Sequence, residues 1–487
     1  MRNGVPQVDD DADAGGRRNG PLVPIVFLVL ELVVVYAAWR ARGLYRPQSL
    51  FLLSAAFALF CVLTLARRQL AGKVRRGLHL VGTAAVACQA WLILDLLRRE
   101  PLLYAVSQDR GPSICAALAS LGLVCLGWAM RDRRRAVLLL LTGAAAYGLF
   151  LAMELRRSPR PAMDVWSLTT EATDELLAGR NPYEPVYTDI YAEKYPERDY
   201  GYDLRFIYLP GLLVHSMPFR LAGLDVRGLS VLALTGGLVF FSLAVRRLRD
   251  LRAGRLWVVA AAAAAMFWYH GGQVFLLEHA WPEGLVLLYL CLAAWLWKRN
   301  AILAGVALGL AMCVKQTAWF VGPFLALAAV RQKRWGLLAA CAAVGCAFAV
   351  PFLAWDPVVF IDNCLLDLLR KPPRADGLSW AAFSLQHGSA AFGLVTSLSY
   401  VCYFGALALL ARALWRDGTE DALPAAWWAA AVGLLGFFLF LKQSFFNYYY
   451  LVAGMLAFYP LLAGAKPETD PEAACCSIHD NPEALDS

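Results

Sequence analysis

The sequence predicts an all-α fold, a polytopic transmembrane helical bundle. Three observations carry that class. Of 487 residues, 60% are hydrophobic and only 17% are charged, a balance that excludes an ordinary soluble domain. Apolar stretches of about 20 residues, long enough to cross a bilayer, recur from Pro21 to Gly464, and about 14 of them can be placed. The Lys and Arg residues cluster in short loops between these stretches. A soluble enzyme on a single anchor is thereby excluded. The net charge of +8 implies no nucleic-acid partner, because no basic stripe interleaved with aromatics marks a soluble face.

The elements follow in chain order. Residues 1–20 are polar, with "DDDADAGGRRNG", and are expected to be a disordered cytoplasmic tail. The first apolar run, "PLVPIVFLVLELVVVYAAW", lacks a small-residue cleavage site and reads as a retained helix. Residues 21–135 are expected to form a four-span N-terminal addition, and residues 136–464 the main transmembrane module with an outer loop over 156–227. Residues 465–487 form a second cytoplasmic tail. The basic loops beginning at Arg67, Arg131, Arg246, Lys298 and Arg331 are assigned to the cytoplasm. Even numbers of spans then separate them, although Arg40, Arg42, Arg98 and Arg99 fall on the opposite side. The loops at 156–227, 271–279, 355–389 and 442–447 face outward, which makes the expected site extracytoplasmic, in a bacterial plasma membrane.

Cysteines such as Cys61, Cys88, Cys115, Cys291 and Cys341 sit in apolar spans and read as small core residues, and no cysteine spacing resembles a zinc site. No internal repeat is visible. A transporter of lipid-linked sugars would place polar residues near the midplane, and Glu31 and Asp95 alone hint at such a path. An oligosaccharide polymerase or ligase would carry a larger late outer loop than 355–389.

The outer loop after Asp164 repeats apolar residues at Val165, Leu168, Ala172 and Leu176, the spacing of an amphipathic helix on the membrane surface. Gly179 ends it, and Asn181-Pro182 prevents its continuation. Further on, "FIYLPGLLVHSMPFRLAG" from Phe206 is apolar but carries Pro210 and Pro218. It reads as a helix dipping into the outer leaflet, or as two short pieces packed on the bundle.

A hydrophobic span, an Asp just beyond it, an amphipathic helix, then "GRNPY" and "YLP" resemble the first extracellular loop of GT-C glycosyltransferases. The nearest resemblance is to glycosyltransferase family 87, which includes polyprenol-phosphate-mannose-dependent mannosyltransferases. "AGVALGLAMCVKQTAWFVGPFLAL" from Ala304 is similar to that family's Gly-rich helix ending in Lys, and "KQSFFNYYYLV" from Lys442 to its last-span segment. The family's carboxylate loop usually follows the first span. Here it follows about five, so the first four stand as an addition.

The resemblance implies inverting transfer of a hexose, mannose in the nearest relatives, from a polyprenyl-phosphate sugar donor to a lipid, glycan or protein acceptor. Such chemistry asks for one carboxylate to take the acceptor's proton and for cations to meet the charge of the leaving phosphate. Two roles fit Asp164, N-cap of the following helix and general base. They can coexist, and the resemblance selects the base, with Glu171 in reserve. Lys315 is either a snorkelling lysine or a phosphate contact, and Arg205 and Lys442 pose the same choice. Glu278 and His279 could bind the acceptor or orient a base. Asn181, Gln316 and His387 complete the substrate-binding candidates, with Tyr183 and Tyr208, which, like Tyr448 and Tyr449, could stack on a sugar or sit as interfacial aromatics. No cofactor is expected, and no carboxylate or His spacing suggests a metal.

Overall fold

The computed structural model describes residues 22–66, 95–96, 98–190, 204–250, 256–416 and 422–463. The two tails, the basic loop at Arg67, and His79 and Cys88 lie outside the described residues. The helices are α1 (Leu22–Ala41), α2 (Pro47–Ala66), α3 (Gly111–Ala129), α4 (Arg133–Arg157), α5 (Asp164–Leu177), α6 (Pro210–Leu221), α7 (Gly228–Asp250), α8 (Leu256–Trp268), α9 (Gly272–Glu278) and α10 (Glu283–Leu296). They continue with α11 (Ala301–Val314), a 3-10 turn (Gln316–Phe320), α12 (Gly322–Arg331), α13 (Trp335–Trp355), α14 (Pro357–Ile361), a π-helical turn (Asp362–Leu366), α15 (Asp367–Arg370), α16 (Trp380–Gln386), α17 (Phe392–Trp415), α18 (Ala422–Phe440) and α19 (Phe446–Ala463). Among the described residues there is no strand, and one isolated bridge pairs Leu44 with Gly377.

Seven of these helices are long and apolar enough to cross a bilayer, or eight if α9 and α10, bent by 115° at their junction, count as one span. Among the described residues the expected count of fourteen is not confirmed, and several of the apolar helices there are shorter than a full crossing. α11 has 14 residues and reaches only about 21 Å at the usual rise, against a hydrocarbon core of roughly 30 Å. α8, α10 and α12 are similarly short, with 13, 14 and 10 residues. α4, α7, α13 and α17 have 25, 23, 21 and 24. The short helices therefore end short of a full crossing, and connecting loops roof the end of the bundle where Gln316 bonds to Ile207 and Cys364.

The two ends differ in chemistry. At one end Arg246 and Arg249 donate to the carbonyl of Met130, which closes α3. Arg247 stands over the Trp295 ring at 5.5 Å, and Trp297 donates to Gln332. The basic loops at 131, 246, 298 and 331 thus share one face. The loops at 98–110, 156–166, 204–209, 270–283, 356–378 and 441–447 share the other, with Arg42 and Arg99 among them.

α19 forms the centre, and α1, α8, α10 and α18 pack on it. The N-terminal helices are therefore seated on the last helix of the chain. α11 and α13 approach closely because Gly305 and Gly309 are four residues apart on one face. A Cβ at Gly305 would lie 2.2 Å from the Leu337 carbonyl oxygen, and one at Gly309 would lie 2.7 Å from Val344 Cβ. α13 and α17 leave most of their surface outward, as lipid-facing helices do. Cys115, Cys125 and Cys346 are exposed, not core, whereas Cys291, Cys313 and Cys364 are buried.

The segment from Phe206 is one helix, α6, and not two pieces. Pro210 takes its first turn, where a missing N–H costs nothing, and Pro218 lies close enough to the C-terminus for the helix to close with Ala222 N–H on the Pro218 carbonyl at 3.1 Å. α5 ends as the sequence suggested. Gly179 has φ +72°, its N–H meets the Leu176 carbonyl, and Arg180 N–H meets Glu175, the paired bonds of a left-handed helix stop.

Candidate active site

Four chain segments meet under the roof. Lys315 follows α11 in extended backbone, with φ −153° and ψ 143°, and its side chain is 8% exposed. Its Nζ lies 2.5 Å from Oε1 of Glu283, the fully buried first residue of α10. The field at that helix N-terminus favours a negative charge. Asn447, the second residue of α19, donates from Nδ2 to the same Oε1 at 2.7 Å. The ring centroids of Tyr208 and Tyr448 lie 5.4 and 5.6 Å from the ammonium, within cation–π range. A cation at this depth is costly unless paired and hydrogen-bonded, and here it is both.

The roof is braced by side-chain amides. Gln316 Nε2 donates to the carbonyls of Ile207 at 2.7 Å and Cys364 at 3.0 Å, joining the outer loop to the π-helical turn. Asn363 Nδ2 donates to the Tyr183 carbonyl at 2.5 Å. The Tyr183 hydroxyl reaches the Tyr208 carbonyl at 3.0 Å, and its buried ring packs edge-on against Phe352 and Phe360. Asn181 folds the turn before it, its Oδ1 accepting Tyr183 N–H at 3.1 Å. Asn181, Tyr183 and Gln316 thus hold the layer above Lys315, and Arg205 is half-buried on the segment that leads to Tyr208.

Other candidates lie apart from that cluster. Glu278 accepts three donors, Leu103 N–H at 2.6 Å, Tyr104 N–H at 2.8 Å and the Ser158 hydroxyl at 2.8 Å. His279 turns Nδ1 to the Phe275 carbonyl at 2.7 Å and packs between Phe275 and Trp281. The two side chains do not form a His–carboxylate pair; Glu278 ties the 98–110 loop to the bundle. Lys442 Nζ donates to the carbonyls of Leu369 and Lys371 at 2.7 and 2.6 Å. Its burial lowers its pKa, with Asp367 opposing. His387 is exposed at the end of α16, bonded to the Phe383 carbonyl at 2.8 Å. Tyr449 is buried and donates to the Leu378 carbonyl at 2.5 Å.

Asp164 opens α5. The cap position itself is Met163, which makes no side-chain bond, and Asp164 Oδ1 accepts Val165 N–H at 2.8 Å. The carboxylate is half-buried. Val165, Leu168 and Ala172 are buried and α5 packs on α6. The chain on both sides of Asp164 is fixed by one ion pair. Asp225 accepts from Arg227 Nη2 at 2.7 Å and from Trp166 Nε1 at 3.3 Å, and Arg227 also reaches the Pro159 carbonyl at 3.4 Å. Lower on α5, Arg180 forks onto Glu175 at 2.5 and 2.9 Å and holds that carboxyl below its ordinary pKa. Glu171 accepts from the Thr188 hydroxyl at 3.3 Å.

Glu283 and Asn447 were not among the sequence candidates. The signals were present: an acid at the start of an apolar run in "WPEGLVLL", and the one amide in "FFNYYYLV". Of the two acids in apolar spans, Asp95 is engaged by Trp39 Nε1 at 3.1 Å and Arg99 at 2.6 Å. Glu31 is fully buried, and its oxygens meet no donor among the described residues. Among the described residues, no group of three or more His, Cys, Asp or Glu side chains is placed to hold a metal ion.

Residues 206–362 match the model of glycosyltransferase family 87. That stretch contains Tyr208, Glu283, Lys315 and Gln316, and lies between Asp164 and Asn447. No curated protein and no solved structure matches the chain.

Proposed function

We propose that this membrane glycosyltransferase, family-87-like over its central segment, transfers a hexose, mannose as the first candidate, from a polyprenyl-phosphate donor to a lipid, glycan or protein acceptor on the extracytoplasmic side. The observation that carries the reading is the buried Lys315, held on Glu283 at 2.5 Å inside the family-matched segment and recessed below the roof. An ammonium has three N–H donors, and one is used on Glu283. The others suit the phosphate oxygens of a lipid donor whose tail lies in the bilayer.

Asp164 serves as the base. The acceptor's oxygen attacks the anomeric carbon from the face opposite the phosphate. The new C–O bond forms as the sugar–phosphate C–O bond breaks, so the configuration inverts. The hydroxyl proton passes to the Asp164 carboxylate, and the electron pair leaves on polyprenyl phosphate, whose charge Lys315 meets. No metal is required by this sequence of steps.

The test is reconstitution. Purified protein in liposomes, given polyprenyl-phosphate mannose labelled in the sugar together with lipid extract from its own membrane, should release polyprenyl phosphate and label an acceptor of inverted linkage. Label that stays on the donor, with mannose and with glucose alike, would overturn the reading.

A further inference from the structure

The cluster at Lys315 is chemically incomplete. Glu283 Oε1 takes two donors, Lys315 Nζ and Asn447 Nδ2, at 2.5 and 2.7 Å. Glu283 Oε2 and Asn447 Oδ1 take none among the described residues, and both are buried. Glu283 is 0% exposed and Asn447 4%. Buried acceptors without donors are rare and costly. These two belong to side chains that are hydrogen-bonded to each other through their other polar atoms, so they belong to one cluster.

The missing partner must bring two donors side by side. A phosphate or carboxylate brings acceptors and would face the Glu283 charge. A second ammonium would face Lys315. A pair of neighbouring hydroxyls satisfies both acceptors and adds no charge. Next to them the Tyr208 and Tyr448 rings flank the ammonium, and such faces pack on the C–H side of a pyranose.

We propose that Glu283 Oε2 and Asn447 Oδ1 bind two adjacent hydroxyls of the transferred sugar, and so set which hexose the enzyme accepts. The inference rests on the glycosyl-transfer reading above and deepens it. Lys315 then has two duties. It holds Glu283 in register and meets the phosphate that lies one bond beyond the sugar's anomeric carbon. The stereochemistry of the two hydroxyls decides whether both acceptors are satisfied at once, which is how a site rejects an epimer.

The test uses the full-length protein and a set of polyprenyl-phosphate donors, mannose and glucose each with their monodeoxy analogues. With wild type, removing either of two neighbouring hydroxyls should lower kcat/KM about tenfold or more, and removing the others should matter much less. Asn447→Ala and Glu283→Gln should bring the parent donor down towards the level of one analogue, erasing discrimination at that position only. The deoxy scan of wild type needs no variant to fold. If every monodeoxy donor is used within about twofold of its parent, the two acceptors hold water instead and this inference fails while the transfer reading stands. Variants that keep the wild-type discrimination overturn it equally. Absence of transfer from every donor removes the reading and the inference together.

Discussion

Asp164 stands one residue inside its helix, and that displacement separates its two roles. A side chain at the cap position would accept from the second or third N–H of the helix. Asp164 instead takes Val165 N–H at 2.8 Å, a bond whose acceptor an asparagine also carries. Asp164→Asn therefore keeps that acceptor and loses the carboxylate charge, whose interaction with the helix start is worth about 0.3–1 kcal/mol. If the carboxylate is the base, transfer falls by roughly 10²–10⁴-fold while the melting temperature stays near wild type. Donor turnover in membranes and a thermal melt measure both, and near-normal turnover would move suspicion to Glu171. Lys315 predicts a different signature. Removing one member of a buried pair leaves the other charge uncompensated, so Lys315→Met should cost about 3–5 kcal/mol. It should also weaken apparent donor affinity by about 10- to 100-fold. Adding Glu283→Gln should restore much of the stability and none of the donor affinity. Melts of the three proteins in detergent decide it: a double variant no more stable than Lys315→Met would show that the two side chains are not energetically coupled.

α11 matters at the next scale because its length and its glycines place Lys315. Fourteen residues make the helix shorter than a full bilayer crossing, and Gly305 and Gly309 seat it hard against α13. Gly305→Leu drives a side chain into the Leu337 backbone oxygen, 2.2 Å from where its Cβ would stand. Backbone cannot swing aside as a flexible side chain can. The expected cost is about 1–3 kcal/mol from overpacking, with a loss of donor affinity as the Lys315 end shifts. Gly345 on α13 is the control, since a Cβ there meets nothing within 4 Å. Gly345→Ala should leave stability unchanged or raise it by up to about 1 kcal/mol. Equal melting temperatures for the two variants would refute the close-packing account.

Across the whole molecule, the charge pattern and the site divide between the two ends of the bundle. The loops at 131, 246, 298 and 331 lie together, and the Lys315 cluster, Asp164 and Glu278 lie at the opposite end. The bias of Lys and Arg towards the cytoplasm then predicts a site on the outer side. Single cysteines at Asp189 and Arg134, in a background with the native cysteines replaced, test this with an impermeant thiol reagent on intact cells. Asp189→Cys should label and Arg134→Cys should stay protected until the membrane is opened. The reverse pattern would move the site to the cytoplasm and remove the lipid-linked donor from the outer leaflet.

The sequence by itself determined the class: a membrane bundle, its basic end, the α5 helix with its stop at Gly179, and the family-like segments. These are readable because they depend on local terms, namely apolar run length, 3.6-residue periodicity, turn chemistry and charge in loops. Only the tertiary structure decided which polar residues share a site. Lys315, Glu283, Asn447 and Tyr208 come from four segments, and neither their meeting nor the two unsatisfied acceptors has a trace in any local window. The same holds for residues that pattern alone offered to the substrate. Tyr183, Asn181 and Lys442 sit in sequence just as a sugar site would place them, yet their hydrogen bonds go to the protein itself, to its backbone and, from Asn181, also to the Glu184 carboxylate. A polar side chain at a helix end has carbonyls and N–H groups of other segments within reach, and which of them it finds is set by packing across the bundle.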